Sequence, residues 1–362
     1  MATAIAIAAG GGGDAVTAAV LASAMPELGI RAIMSWSWDR FMTDPAAGPR
    51  ERADFDGLGD YGGVAQVTTT SRLRSGQSTL PPLAGSIGLP LLLLEASAGA
   101  TGLAELIIRA VKVSGADEVI VVDVGGDILA EGHEPGLRTP LADSLALAAA
   151  LQSGIDTRVL VAGIALDGEL SPPELHARLD QLQARETGGL TPEAVAPFAD
   201  IWSWHPSEAN ALLAAAAAGW RGVVETQRNA LIALTDGAPL IYEVNARTLA
   251  DSSLAAPLAA TTTFEQVEQL LRDRRSGRSE LDIERHRAER DRGEVRTPTQ
   301  DSVHAIDVYA ADARSRGIDA LTVRRVAELV YAVDPAATAA LRELLAQQRP
   351  ANFHPPLYTL NR

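Results

Sequence analysis

The chain contains no cysteine and a single lysine, Lys112. Without thiols it can form no disulfide, thiolate zinc site or iron–sulfur cluster, and it has no cysteine nucleophile. With one lysine, a Walker-type phosphate loop, a Schiff base and a Ser–Lys pair would all draw on the same residue, which falls late in an expected helix. Positive charge is short as well: 31 basic against 46 acidic side chains leave a formal charge of −15, with no basic stripe. A nucleic-acid groove needs clustered cations, so no DNA or RNA partner is expected. Long hydrophobic runs are missing. The longest uncharged stretch, 75–94, holds Pro81, Pro82 and Pro90 with Gly76, Gly85 and Gly88, too many breakers for a membrane helix. No basic segment precedes the apolar start, unlike a signal peptide. The expectation is a cytoplasmic protein without membrane contact.

What is present suits a packed core. Hydrophobic residues make up 47% of 362 positions and charged ones 21%, ordinary values for a globular chain. Thr3–Ala9, Ile30–Trp36, Val64–Thr70, Pro90–Glu95, Glu118–Asp123 and Arg158–Gly163 read as strands without polar alternation, buried on both faces. Helical patterns follow at 14–26, 101–114, 140–153, 172–184 and 206–219. Such alternation predicts an α/β fold with a doubly wound, mostly parallel, Rossmann-like sheet. Val223–Thr226, Ala230–Thr235 and Pro239–Glu243 read as a hairpin or meander closing one edge. Past residue 272 the composition turns to mixed charge, then to helical patterns at 302–316, 320–333 and 335–347 and an extended, proline-rich end. The expected division is a ligand-binding and catalytic domain over 1–285 and a helical extension over 286–362, packed on the body or used to form a homo-oligomer.

Polar motifs stand at the strand ends. Strand one runs into Ala9-Gly10-Gly11-Gly12-Gly13-Asp14 and then a helix. Consecutive glycines let backbone amides approach an anion, and a helix N-terminus favours negative charge. Gly10, Gly11, Gly12, Gly13 and Asp14 therefore read as a ligand cradle, with a tight turn capped by Asp14 as the plainer alternative. Strand two ends in Ser35-Trp36-Ser37-Trp38-Asp39-Arg40. Trp38 can stack on a flat ligand and Asp39 stands where an acidic residue often holds ribose hydroxyls, or both simply pack. Ser97 and Gly99, at the next strand–helix junction, offer amides to the same crevice, although an ordinary turn accounts for them nearly as well.

The strongest signal is Asp123-Val-Gly-Gly-Asp127, followed by Glu131, His133, Glu134 and Arg138 before the next helix. This connection is far longer than the usual 2–6 residues, roughly, of a βα loop. Two carboxylates on a glycine-flexed turn suit a hard cation, Mg²⁺ or Mn²⁺, with Asp123 and Asp127 as ligands. Without metal they suit a general acid–base pair, and the blander reading has them bonding loop amides only. Asp123, Asp127, Glu131 and Arg138 form the expected catalytic set, Arg138 as a clamp for phosphate or carboxylate. Asp167 and Glu169 follow another strand and should emerge at the same edge. In Trp202-Ser-Trp-His205-Pro-Ser-Glu208, helix capping is the plainer role, and His205 or Glu208 reaching the ligand is the alternative.

Taken together, the glycine–Asp14 start, Ser-Trp-Ser-Trp-Asp39-Arg, Asp123-Val-Gly-Gly-Asp127, Glu134-Pro-Gly-Leu-Arg138-Thr-Pro-Leu-Ala-Asp143, Asp167-Gly-Glu169-Leu and Pro206-Ser-Glu208-Ala closely resemble a bacterial and archaeal family catalogued only as a domain of unknown function. The resemblance runs to Leu281-Asp-Ile-Glu-Arg285 and implies a fold without a settled activity. Asp123-x-Gly-Gly-Asp127 is also similar to the Asp-Gly-Gly-Asn-Glu segment of D-glutamate cyclases, but Asp127 and Ile128 replace its Asn and Glu, so that activity is not carried over. The expected function is an enzyme using metal-assisted, non-redox chemistry (hydrolysis, lyase or group transfer) on a small anionic metabolite. A metal-free nucleotide- or nucleoside-binding enzyme and a non-catalytic ligand-binding regulator are the alternatives.

Overall fold

The computed structural model describes residues 2–39, 42–290 and 295–360; Arg40 lies outside them. Five parallel strands occupy the middle of a nine-stranded sheet: β1 (Ala4–Ala8), β2 (Ile30–Ser35), β3 (Leu91–Leu93), β4 (Glu118–Val124) and β5 (Asp156–Ala162). They lie in the order β3-β2-β1-β4-β5, with Ile7 paired to Met34 on one side and to Val121 on the other. Antiparallel strands complete the edges. Leu240–Asn245 and then Arg185–Gly189 follow β5, while Val64–Val67 and then Gly59–Tyr61 follow β3.

The unbroken apolar strands have a direct cause. Successive side chains of β1 point to opposite faces, and both faces are covered. Ile5 and Ile7 join the core beneath helices α2 (Gly99–Ser114) and α3 (Leu141–Gln152). Ala4, Ala6 and Ala8 face α1 (Gly12–Ala24) and α4 (Glu208–Ala217), where small side chains let the helices come close to the sheet. α3 is apolar nearly all round and buried from Leu141 to Ala150, as expected for a helix clad on both sides. Among the described residues no helix is long and apolar enough to cross a membrane.

The expected meander at 223–243 divides between two sheets. Only Leu240–Asn245 joins the main one, antiparallel to β5. Gly222–Glu225 and Leu231–Leu234 begin a second sheet, continued by three short strands from the C-terminal part, Ala320–Thr322, Leu357–Thr359 and Phe353–His354. The extension is therefore not wholly helical. Ala320-Leu-Thr is too short to show a period, and the helix beginning at Val323 masks it in the sequence. The expected division at 285/286 runs through a helix, α5 (Glu280–Arg290).

The extension has a small core of its own, around Ile306, Leu321, Leu341, Leu345 and Tyr358. It is tied to the body through Glu225, which is fully buried and accepts from Tyr309 Oη at 2.5 Å, Arg325 Nε at 2.8 Å and Arg316 Nη2 at 3.2 Å. Removing one partner of a buried charged network leaves the others uncompensated, at a cost of about 3–5 kcal/mol. Glu225→Ala is therefore expected to lower urea-unfolding stability by about that amount. It should also open residues 300–360 to limited proteolysis before the body is cut.

Candidate functional site

β1 and β4 are neighbours whose onward connections run in opposite directions across the sheet. Loops leaving their carboxyl ends diverge and open a crevice. Gly10–Gly13 leaves β1 and Gly125–Pro140 leaves β4. Gly10, Gly12, Gly13, Asp14, Asp123 and Asp127 all line the resulting crevice. Gly11 has φ +114° and stands just outside the lining, as the residue preceding α1. At Gly13, space is the constraint: an added Cβ would lie 2.5 Å from Ser207 Oγ and 2.6 Å from Asn210 Nδ2. Gly13→Ala should therefore cost about 1–3 kcal/mol in a denaturant titration, with the loss rescued in part by Ser207→Gly.

The carboxylates fall into two groups. In the first, Asp14, Asp123 and Asp143 are all buried and bring one oxygen each within 4.8 Å of one another. Asp14 is fixed at the head of α1 by the Gly10 amide at 2.8 Å and by Asn210 Nδ2 of α4 at 3.0 Å. Asp123, ending β4, accepts from the Gly126 amide at 2.9 Å. Asp143 enters from the first turn of α3, and its Oδ1 has no hydrogen-bond partner among the described residues. Burial, then mutual repulsion, holds the carboxyls of Asp123 and Asp143 well above the usual range.

In the second group, Thr139 Oγ1 stands 2.9 Å from both Asp127 Oδ2 and Glu169 Oε1. One hydroxyl proton cannot serve two carboxylates, so this contact calls for a proton on one of them. Burial raises Asp127 and pushes Asp167 up to about 6, and the two share a hydrogen bond. Glu169 takes the Thr139 amide at 3.0 Å, and Arg138 Nη2 donates to Gly168 O at 3.1 Å. Arg138 thus braces the Asp167–Glu169 turn while lining the crevice. Gly125 and Gly126, at φ +121° and +107°, reverse the chain after β4 and separate Asp127 from Asp123. Of the expected metal pair, Asp123 belongs to the first group and Asp127 to the second, and the two groups repel one another through Asp123 with Asp167 and Asp127 with Asp143.

Other expected residues reach the crevice but are engaged. Asp39 accepts from the amide and hydroxyl of Thr79 at 3.1 and 2.6 Å, and burial pushes it up to about 6. Trp38 donates to Glu284 at 2.9 Å and meets Phe264 edge-on. Glu208, raised by burial, accepts from the Gln227 amide at 3.1 Å and from the Thr322 hydroxyl. Glu131, Ser97 and Gly99 lie away from it. Glu131 is exposed and pairs with Arg178 at 2.9 Å, Ser97 bonds Glu51, and Gly99 packs against Thr261. Sequence reasoning named Asp143 only as part of a family motif and gave no site role to Thr139, Asn210 or Arg324, and all four line the crevice. For Asp143 a signal existed, an acidic residue in a helix first turn at the same sheet edge. For Arg324, from the extension, there was none.

A family model described as "Protein of unknown function (DUF1152)" matches residues 5–288. The chain belongs to this family. No match is found among curated proteins or among solved structures. The DUF1152 match takes in both carboxylate groups and His205, and it stops before Arg324.

Proposed function

We propose that this DUF1152 protein is a divalent-cation-dependent enzyme that acts on a small anionic metabolite by non-redox chemistry: hydrolysis, elimination or group transfer. The observation that carries the reading is the cluster of Asp14, Asp123 and Asp143, three buried carboxyls with oxygens within 4.8 Å of one another. Three like charges out of water repel, and either protons or a cation must relieve them. An all-oxygen set of this kind favours a hard ion, Mg²⁺ or Mn²⁺, over softer metals. Asp127, Thr139, Asp167 and Glu169 would then hold an exchangeable proton beside it, which suits general acid–base work. The strand order and the helix-covered faces of the sheet support a doubly wound, Rossmann-like ancestry for the fold, in which ligands sit at this edge.

Calorimetric titration with Mn²⁺ at pH 7.5 tests the reading. One or two equivalents should bind and raise the melting temperature, since a ligand at about 100 times its Kd adds about 2.7 kcal/mol. A protein that binds neither Mn²⁺ nor Mg²⁺ would overturn it.

A further inference from the structure

The crevice has a second wall, chemically opposite to its carboxylates. His205 is 4% exposed and meets the rings of Trp202 and Trp204 edge-on, at centroid distances of 6.0 and 5.3 Å. Its Nδ1 accepts the Ser207 amide proton at 3.2 Å. A ring nitrogen that accepts carries no proton, so the neutral imidazole bears its hydrogen on Nε2. Nε2 has no hydrogen-bond partner among the described residues, and the residue lines the crevice. Burial, reinforced by the Arg342 guanidinium, brings the group down to about 3, so it stays an uncharged donor.

That donor stands beside the start of α1, where a Cβ on Gly12 would lie 3.8 Å from His205 Nε2. α1 opens without a capping side chain from the residue before it, and the first amides of a helix have no carbonyl of their own helix to meet. Asp14, in the same first turn, faces the carboxylate group instead. His205 Nε2 and the head of α1 therefore line the same part of the crevice, which the acidic cluster borders through Asp14. A planar carboxylate offers two oxygens, whereas a terminal phosphoryl group offers three and suits a helix N-terminus.

Resting on the function proposed above for its cation, we propose that the Gly12 and Gly13 amides and His205 Nε2–H bind a phosphoryl oxyanion, so that the substrate is a phosphate ester or phosphoanhydride. His205 positions the group, and the acidic clusters do the chemistry.

Inorganic phosphate is the probe, titrated calorimetrically into the full chain with and without Mn²⁺. His205→Leu should weaken phosphate binding about tenfold or more, equivalent to about 1.4 kcal/mol, with Mn²⁺ affinity unchanged. His205→Gln, whose amide N–H reaches to about the same place as Nε2–H, should restore most of the affinity. Three results would overturn the proposal: phosphate binding to a folded His205→Leu protein as to the wild type, acetate binding more tightly than phosphate, or no phosphate binding by the wild type in either condition. Should His205→Leu not fold, a folded His205→Gln protein without phosphate affinity would overturn it equally. Phosphate binding that depends on His205 but not on Mn²⁺ would support the subsite and remove the cation reading alone.

Discussion

Asp143→Asn is expected to make the metal-free protein melt higher and, at the same time, to lower its Mn²⁺ affinity on the order of a hundredfold. The amide keeps the shape of the side chain and can still donate to Asp123, as the protonated carboxyl does. What it loses is the ability to ionise, which burial and the charges of Asp123, Asp14 and Glu280 oppose, so that the carboxyl holds a bound proton at neutral pH. Removing the cost of keeping that carboxyl protonated adds about 1–2 kcal/mol, a few degrees for a chain of this size. The ionised form is what a cation would use, and sites held against stability are commonly functional. Asp127→Asn is the control. Because Asp127 bonds Thr139 and Asp167 and reaches the cluster only through charge repulsion with Asp143, it should weaken Mn²⁺ binding less than Asp143→Asn does, by about tenfold at most. Scanning fluorimetry and calorimetry on the two variants decide the matter. An Asp143→Asn protein that melts lower and still binds Mn²⁺ would place the cation elsewhere.

Stability of the metal-free protein should fall as pH rises from 6.5 to 8.5, and Mn²⁺ should flatten the slope. Asp123, Asp127 and Asp143 titrate well above their usual value, and Asp39 and Asp167 near 6. A carboxyl whose pKa is raised by folding binds more protons in the native state, so its contribution declines as pH climbs through the folded value. For Asp39 or Asp167 the loss, on the order of 3 kcal/mol, falls between about pH 4 and 6.5, so the slope above 6.5 reports Asp123, Asp127 and Asp143. His205 acts with the opposite sign: buried and neutral, it loses stability as pH falls below its ordinary value of 6.5. Above 6.5 it is neutral in both states, so that window reports the carboxyls. Urea titrations at pH 6.5, 7.5 and 8.5, with and without Mn²⁺, give the slope. A metal-free protein that grows more stable across the window would show the acidic groups to be unstrained.

Much of the fold was legible because burial on both faces leaves a local mark. All-apolar runs such as Ala4–Ala8 and Glu118–Val124, each followed by a helical period, need no knowledge of their neighbours. Val223–Glu243 was harder, since its strands look alike in sequence while one joins β5 and two join Ala320–Thr322. Pairing partners are a property of two segments, and periodicity is a property of one. Trp38 and Asp39 show the same limit at the site. Their residue types suit stacking and ribose binding, yet Glu284 and Thr79, distant in sequence or across a loop, take their polar atoms.

By itself, then, the sequence determined that polar, glycine-rich loops follow apolar strands, and in a parallel sheet this suffices to put Gly10–Gly13, Asp123 and Asp167 at one edge. Which carboxylates meet was decided only by the tertiary structure. Asp123 joins Asp14 and Asp143 because α1 and α3 both begin beside the end of β4, while Gly125 and Gly126 carry Asp127 away to Thr139 and Asp167. His205 likewise became a donor wall only when α4 packed against α1 and set its ring beside Gly12. Raised pKa values, an unmet Nε2–H and an arginine arriving from the extension all arise from groups far apart in the chain being brought out of water together. No local pattern of residues encodes that condition.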